Sequence, residues 1–396
     1  MKTQVLSDRI NNLTTSQTLA MAAKARELKE QGIDIISLSL GEPDFNTPNF
    51  LKEAAIQAIH DNYSKYPPVE GYLDLRQAIS NKFKRDNHLA YNPNQIVVST
   101  GAKQSLFNVA QAMINPGDEV IIPAPFWVSY AEIVKIAEGI PVEVPTSIDT
   151  DFKITPQQLE DAITPQTKMV WFSSPCNPSG SVYNQAELEA LAAILDKYPS
   201  IYILSDEIYE HINFAGNFCS IGSIGNLIDR TITVNGISKA FAMTGYRIGY
   251  IGAPEFIAKA CIKMQGQVTS GANTIAQRAT IAAVNADPIV LKDMVQAFKN
   301  RRDLVVKLLR DIPGIKVNVP EGAFYLFPDV SSFFGQTFQG ITIKDANDLS
   351  MYLLDKAYVA TVTGDAFGNP NCIRLSYATS EDQLIEALRR MKEALK

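Results

Sequence analysis

Five short apolar runs rich in β-branched residues each end in a turn: 96–100 (IVVST), 119–124 (EVIIPA), 169–174 (MVWFSS), 201–206 (IYILSD) and 231–236 (TITVNG). Runs of this length without polar alternation are what strands covered on both faces require. Between them the period changes, and Leu188, Leu191 and Leu195 fall at helical spacing. Thr47-Pro48 and Thr155-Pro156 each predict an N-cap followed by a proline at the first helical position. The interleaving predicts an α/β fold class, a mostly parallel sheet covered by helices. Near the C-terminus Ser380 with Gln383 predicts a capping box. Leu384, Leu388, Met391 and Leu395 then mark one face of an amphipathic helix in a separate, smaller lobe. The charge-laced helical stretch from about Asp287 to Arg310 marks the boundary.

Length and composition narrow the class. At roughly 150 residues per domain, 396 residues make two to three domains. Hydrophobic residues are 46% and charged ones 20%, without a run of about 18 apolar residues, which excludes a disordered or membrane-spanning chain. The polar opening MKTQVLSDRINN has no secretory apolar stretch, so a cytoplasmic location is expected. A net charge of −6 without long single-sign runs argues against nucleic-acid or anionic membrane partners, and an anionic ligand must then meet local cations. The four cysteines lack C-x-x-C spacing and are expected as free thiols, and the three histidines are not spaced as a metal pair. No two of the 22 glycines stand two apart and no Gly-Lys dipeptide occurs, which excludes the dinucleotide turn and the Walker loop. The glycine pairs four apart enclose Arg247 and Ala366, which excludes a serine elbow.

Ligands of open α/β sheets sit at the carboxyl ends of the strands, so the polar residues after each run carry the candidate chemistry. After IVV comes Ser99-Thr100-Gly101-Ala102-Lys103, a helix start whose free N–H groups and dipole favour a phosphate. After IYIL comes Ser205-Asp206-Glu207-Ile208-Tyr209, where a helix cap is the plainer alternative for Asp206. After TITVNG come Ser238-Lys239 and then Arg247; an ammonium in small apolar company needs a partner, unless it is simply a surface lysine. Trp127 in Pro-Phe-Trp-Val-Ser-Tyr and Asn177 in Ser-Ser-Pro-Cys-Asn-Pro-Ser-Gly fit an ordinary core and turn when taken singly. Together the set matches one cofactor, with a ring to stack, a ring nitrogen wanting a carboxylate, an oxygen wanting donors, a phosphate and an aldehyde wanting a lysine. That cofactor is pyridoxal 5′-phosphate.

Five motifs carry a resemblance: Gly41-Glu42-Pro43-Asp44-Phe45, Tyr66-x-Pro68-x-x-Gly71, Asn177-Pro178-x-Gly180, Ser205-Asp206-Glu207-x-Tyr209 and Ser238-Lys239 with Arg247. From about Leu6 onward the chain resembles the fold-type I, class I/II aminotransferases, in particular the bacterial aspartate aminotransferases. The resemblance implies a large domain, 47–288, with a mostly parallel seven-stranded sheet, and a smaller α/β lobe built from 1–46 and 289–396. It implies that Lys239 bonds the cofactor aldehyde and, as a neutral amine, moves the substrate proton. Asp206 then pairs with the ring nitrogen, Tyr209 and Asn177 with the ring oxygen, and Trp127 stacks on the ring. The phosphate falls to the backbone at Gly101, Ala102 and Lys103, to Ser238 and Arg247, and to Tyr66 of a neighbouring subunit, which implies a homodimer with shared sites. Arg374 takes the substrate α-carboxylate as a bidentate pair, with the Gly41 backbone closing over it.

The substrate follows from the same resemblance. Some aspartate enzymes of the superfamily meet the second carboxylate with a late large-domain arginine, but 267–277 contains none. In the bacterial subgroup a lysine beside the phosphate loop serves with small hydroxyls, matching Lys103 with Ser16 and Thr18, although Lys103 equally fits a phosphate role alone. Relatives that also use prephenate carry Lys or Arg where this chain has Thr14. Aspartate with 2-oxoglutarate in a ping-pong cycle is the resulting expectation. The alternatives are an aminotransferase of broader, neutral or aromatic range, an aspartate/prephenate enzyme, and a lyase of the same cofactor. A non-catalytic cofactor-sensing module needs an attached DNA-binding domain, for which no basic N-terminal region is present.

Overall fold

The computed structural model describes residues 5–396, so the first four residues of the 1–46 segment lie outside the described residues. One sheet of seven strands organises the molecule: β1 (Ile96–Ser99), β2 (Glu119–Ala124), β3 (Ile140–Pro145), β4 (Thr167–Ser173), β5 (Tyr202–Asp206), β6 (Thr231–Gly236) and β7 (Gly249–Gly252). Their order is β1-β7-β6-β5-β4-β2-β3. Strand β7 runs antiparallel to both neighbours and the remaining pairings are parallel. The carboxyl ends of the other six strands therefore share one edge.

Two strands escaped the sequence pattern for physical reasons. Strand β3 holds Pro141 and Pro145, and its outer position leaves one side of its ladder unused. Strand β7 is Gly-Tyr-Ile-Gly, too short and too glycine-rich to count as an apolar run. Those glycines are required by close approach, since a Cβ on Gly249 would lie 2.1 Å from the Ala102 nitrogen.

Both sheet faces are covered, as the unbroken apolar runs demanded. Ile96 and Val98 pack with Leu75, Ile79 and Phe83 of α1 (Leu73–Asn87). Val97, Val120, Ile122 and Trp171 pack with Leu106 and Val109 of α2 (Ala102–Met113) and Tyr130, Ile133 and Val134 of α3 (Ser129–Ile136). Ile121, Val170, Phe172 and Ile203 meet Leu188, Leu191 and Leu195 of helix Gln185–Leu195. Each such fully buried side chain contributes roughly 1.5–3 kcal/mol relative to exposure.

A second core lies beyond α4 (Lys292–Arg310). There Phe298, Val305, Val306 and Leu309 pack with Phe324, Tyr325 and Leu353, and with Leu384, Leu388 and Met391 of α5 (Glu381–Ala394). Leu395 is partly buried against it. Strand Ile36–Ser37 pairs with Val359–Ala360, which joins the N-terminal segment to this part of the chain. A three-stranded antiparallel sheet of Val362–Thr363, Ile373–Ser376 and Tyr325–Leu326 carries Arg374.

The caps divide. Thr155 is the expected N-cap before Pro156 and also forms a capping box with Gln158, whereas at the expected Ser380 box only half is made, Ser380 accepting the Gln383 N–H. Thr47 does not cap: Pro48 holds that position at helix Asn49–His60, and the Thr47 hydroxyl instead donates to the Ala242 carbonyl at 2.7 Å. A long-range bond that fixes the loop after Lys239 has won over a local one. The four cysteines are free, and among the described residues no helix is long and apolar enough to cross a membrane.

Candidate active site

A cavity of about 360 Å³, a size suited to a small organic ligand, opens where the strands end. It gathers Ser16, Thr18, Gly41, Ala102, Lys103, Trp127, Asn177, Asp206, Tyr209, Ser238, Lys239, Arg247 and Arg374 from eight separate stretches of sequence. Gly101 immediately precedes this lining as the N-cap of α2. Tyr66 lies outside the cavity and is 93% exposed.

Asp206 closes β5 and is buried. Its Oδ1 accepts the Ile208 N–H at 3.2 Å and its Oδ2 accepts the Tyr130 hydroxyl at 2.7 Å. Burial raises the carboxyl to about 6, opposed by those two hydrogen bonds and by Lys239. Lys239 follows β6 by three residues; its Nζ donates to the Gly41 carbonyl at 2.7 Å and stands 5.9 Å from the Tyr209 ring centre. Burial and then the Arg374 charge lower the amine to about 8. An amine so placed gives up its proton more easily than an ordinary lysine, which favours its use as a nucleophile. Gly41 has no room for a side chain, because a Cβ would lie 2.2 Å from the Tyr325 hydroxyl. That hydroxyl shares a 2.8 Å hydrogen bond with Tyr209, and burial raises both phenols.

One part of the cavity is an anion cradle. Gly101 caps α2 at φ +79°, and the first N–H groups of any helix lack partners within it. Arg247, at φ +56°, passes so close that a Cβ on Gly101 would lie 2.4 Å from Nη2. Its Nη1 donates to the Thr244 carbonyl at 2.9 Å, and the Thr244 hydroxyl donates to Glu42. Lys103 Nζ sits 4.7 Å from the Trp127 ring centre, and burial, then Arg247, lowers its pKa.

Arg374 supplies a second cation, 1% exposed. Nη1 donates to Asn177 Oδ1 at 3.0 Å and Nη2 to the Ser39 carbonyl at 2.6 Å, while the guanidinium lies 4.7 Å from the Tyr325 ring centre and 4.9 Å from that of Phe367. Among the described residues Nε has no acceptor. A buried, permanently charged donor left open is costly, so the arrangement calls for an anion.

Sequence reasoning missed Tyr130, Ser173, Tyr325, Glu42 and Thr244 as lining residues. Tyr130 stood in the Pro-Phe-Trp-Val-Ser-Tyr segment three residues after Trp127, but nothing local reveals that its hydroxyl reaches Asp206.

A sequence profile of the family described as aminotransferase class I and II matches residues 33–391. An aspartate/prephenate aminotransferase of Nitrosomonas europaea is 49% identical over 394 residues, covering 98% of this chain and 99% of that protein. The solved aspartate aminotransferase of Rhizobium meliloti superposes with a TM-score of 0.96 at 44% identity over 98% of both chains. That of Thermus thermophilus, solved with maleate, gives 0.93 at 42% identity over 99% of this chain and 100% of the other. The family match over residues 33–391, with likeness to the Nitrosomonas and Rhizobium relatives over 98% of the chain, shows that this chain belongs to the aminotransferase class I and II family.

Proposed function

We propose that this chain transaminates L-aspartate with 2-oxoglutarate, giving oxaloacetate and L-glutamate in a ping-pong cycle that depends on pyridoxal 5′-phosphate. The observation that carries the reading is the meeting of Lys239, its amine lowered to about 8, with buried Asp206 in a cavity that also holds two arginines. The donor set fits the cofactor: a cationic helix start for phosphate, a carboxylate for a ring nitrogen, Trp127 for a ring face and an amine for an aldehyde. When bound, pyridoxal phosphate supplies that aldehyde and a protonated ring able to take up the electron pair released at the substrate Cα.

The residues then divide the work. Asp206 holds the proton on the ring nitrogen, Tyr209 and Asn177 hold the ring oxygen, and Ser238, Arg247 and the α2 backbone hold the phosphate. Arg374 fixes the substrate α-carboxylate with two parallel N–H bonds, which orients the Cα–H. Lys239 Nζ, as a neutral amine beside the Cα–H, would take that proton and pass it on rather than give it back to Cα. Lys103, with the Ser16 and Thr18 hydroxyls, meets the second carboxylate; Thr18 Oγ1 is buried without a partner among the described residues, which supports an incoming acceptor or donor there. Maleate in the Thermus thermophilus structure is likewise a dicarboxylate.

The name of the Nitrosomonas relative favours a second reading that adds prephenate. Here Thr14 supplies no cation: its N–H donates to Glu132 at 2.9 Å, and Lys135 beside it is paired with the same carboxylate at 2.9 Å. Aspartate therefore leads. A homodimer sharing Tyr66, a cytoplasmic location and the division 1–46, 47–288 and 289–396 belong to the same proposal. The division is supported by a sheet confined to 96–252 and by the separate core around Phe298 and Met391.

Two substitutions test the reading. Lys239→Ala is expected to bind pyridoxal phosphate without turnover, and ordinary transamination by it contradicts the assignment. Lys103→Ala is expected to reduce the preference for aspartate over alanine; an unchanged preference contradicts the dicarboxylate role.

A further inference from the structure

Both oxygens of Asp206 are held by donors from different elements. Oδ1 takes the Ile208 N–H from its own segment, and Oδ2 takes the hydroxyl of Tyr130, which is 1% exposed on the first turn of α3. The phenol is fixed in turn. Its ring meets Trp127 at 5.7 Å and Trp171 at 6.1 Å, both edge to face. One donor on each oxygen blocks rotation of the carboxylate.

We infer that Tyr130 is a positioning residue for transamination, whose hydroxyl keeps the Asp206 carboxylate ionised and in one orientation for the cofactor ring nitrogen. The inference rests on the pyridoxal phosphate reading above. Its physical basis is that an O–H donor stabilises a carboxylate more than a carboxylic acid. The site needs that help, because burial raises Asp206 while Lys239 is the nearby charge that lowers it and Cys176 is a buried neutral thiol. Without the phenol hydroxyl the shared proton shifts from the ring nitrogen to Asp206, and the ring takes up electrons less well. Phenylalanine at 130 preserves the packing between the two tryptophans, so the hydroxyl can be removed alone.

The test loads the full chain with pyridoxal phosphate labelled with 15N at the ring nitrogen, and measures its NMR shift alongside kcat and KM for aspartate. Tyr130→Phe is expected to move the 15N signal toward that of the unprotonated ring and to lower kcat about tenfold or more, with KM little changed. Adding Tyr130→Phe to Asp206→Asn is expected to leave the signal where Asp206→Asn alone puts it, since the phenol acts through the carboxylate. A Tyr130→Phe protein with the parent's 15N signal and kcat overturns the inference, even if its melting temperature falls. A parent chain that binds no pyridoxal phosphate overturns the reading beneath it, and the two failures are told apart by the parent's spectrum.

Discussion

Lys239 occupies a place that disfavours its own charge. Burial and then Arg374 bring the amine from its ordinary 10.5 to about 8 in the folded chain. Below pH 8 both states bind the proton and the folded state bears the whole cost, about 3 kcal/mol at 1.36 kcal/mol per pH unit. Between about pH 8 and 10.5 the unfolded chain binds more protons, so stability rises with pH through that window. Cofactor-free Lys239→Met is thus expected to be more stable than the parent at pH 7, with the advantage shrinking toward pH 10. A difference that stays constant over that range in denaturant melts contradicts the burial account. Arg374 gives a second prediction at this scale. Lysine keeps the charge but loses the planar fork, so Arg374→Lys is expected to lower kcat/KM for aspartate roughly 10- to 100-fold. Steady-state kinetics within twofold of the parent contradict a bidentate role. Asp206 and Lys239 were legible in the sequence because each stands at or just after the end of an apolar run, whereas Arg374 was reached only through the family resemblance. Tyr130 and Tyr325 were not, because their roles depend on partners 76 and 116 residues away.

The segment after β5 faces two ways. Asp206 and Tyr209 line the cavity, while Glu207 and Glu210 enter a buried polar cluster with Lys82 and Asn87 of α1. Asn87 donates to Glu210 at 2.6 Å and to Glu207 at 3.0 Å, and Ser205 and Ser220 donate to the other Glu207 oxygen. Burial pushes Glu207 up to about 8. At Glu210, burial is outweighed by Lys82 and His211, which hold its carboxyl below the usual range. Removing one partner of a buried pair leaves the other charge uncompensated, so Lys82→Met is expected to cost about 3–5 kcal/mol of stability. A loss under 1 kcal/mol in urea melts contradicts the view that this cluster fixes the segment bearing Asp206. The sequence showed the Ser-Asp-Glu-x-Tyr motif but not this anchor, since Lys82 precedes Glu210 by 128 residues. For similar reasons β3 and β7 escaped notice: an edge strand with prolines and a glycine-bounded strand lack the apolar run by which the five inner and flanking strands were read.

Across the whole molecule, this chain's share of the site exists only because distant segments are brought together. The N-terminal segment supplies Ser16, Thr18 and Gly41, the end of β5 and the loop after β6 supply Asp206 and Lys239, and the last antiparallel sheet supplies Arg374. Pairing of Ile36–Ser37 with Val359–Ala360, and the Arg374 bonds to Asn177 and Ser39, hold those parts in register. A transaminase needs this closure, since both carboxylates of a small substrate must be met while water is kept from the reacting carbon. The most direct measurement is the absorption spectrum of the pyridoxal phosphate-loaded protein on addition of L-aspartate without any oxo acid. Conversion of the bound pyridoxal band to that of pyridoxamine phosphate, reversed by 2-oxoglutarate, is expected. A pyridoxal band that persists in aspartate contradicts it.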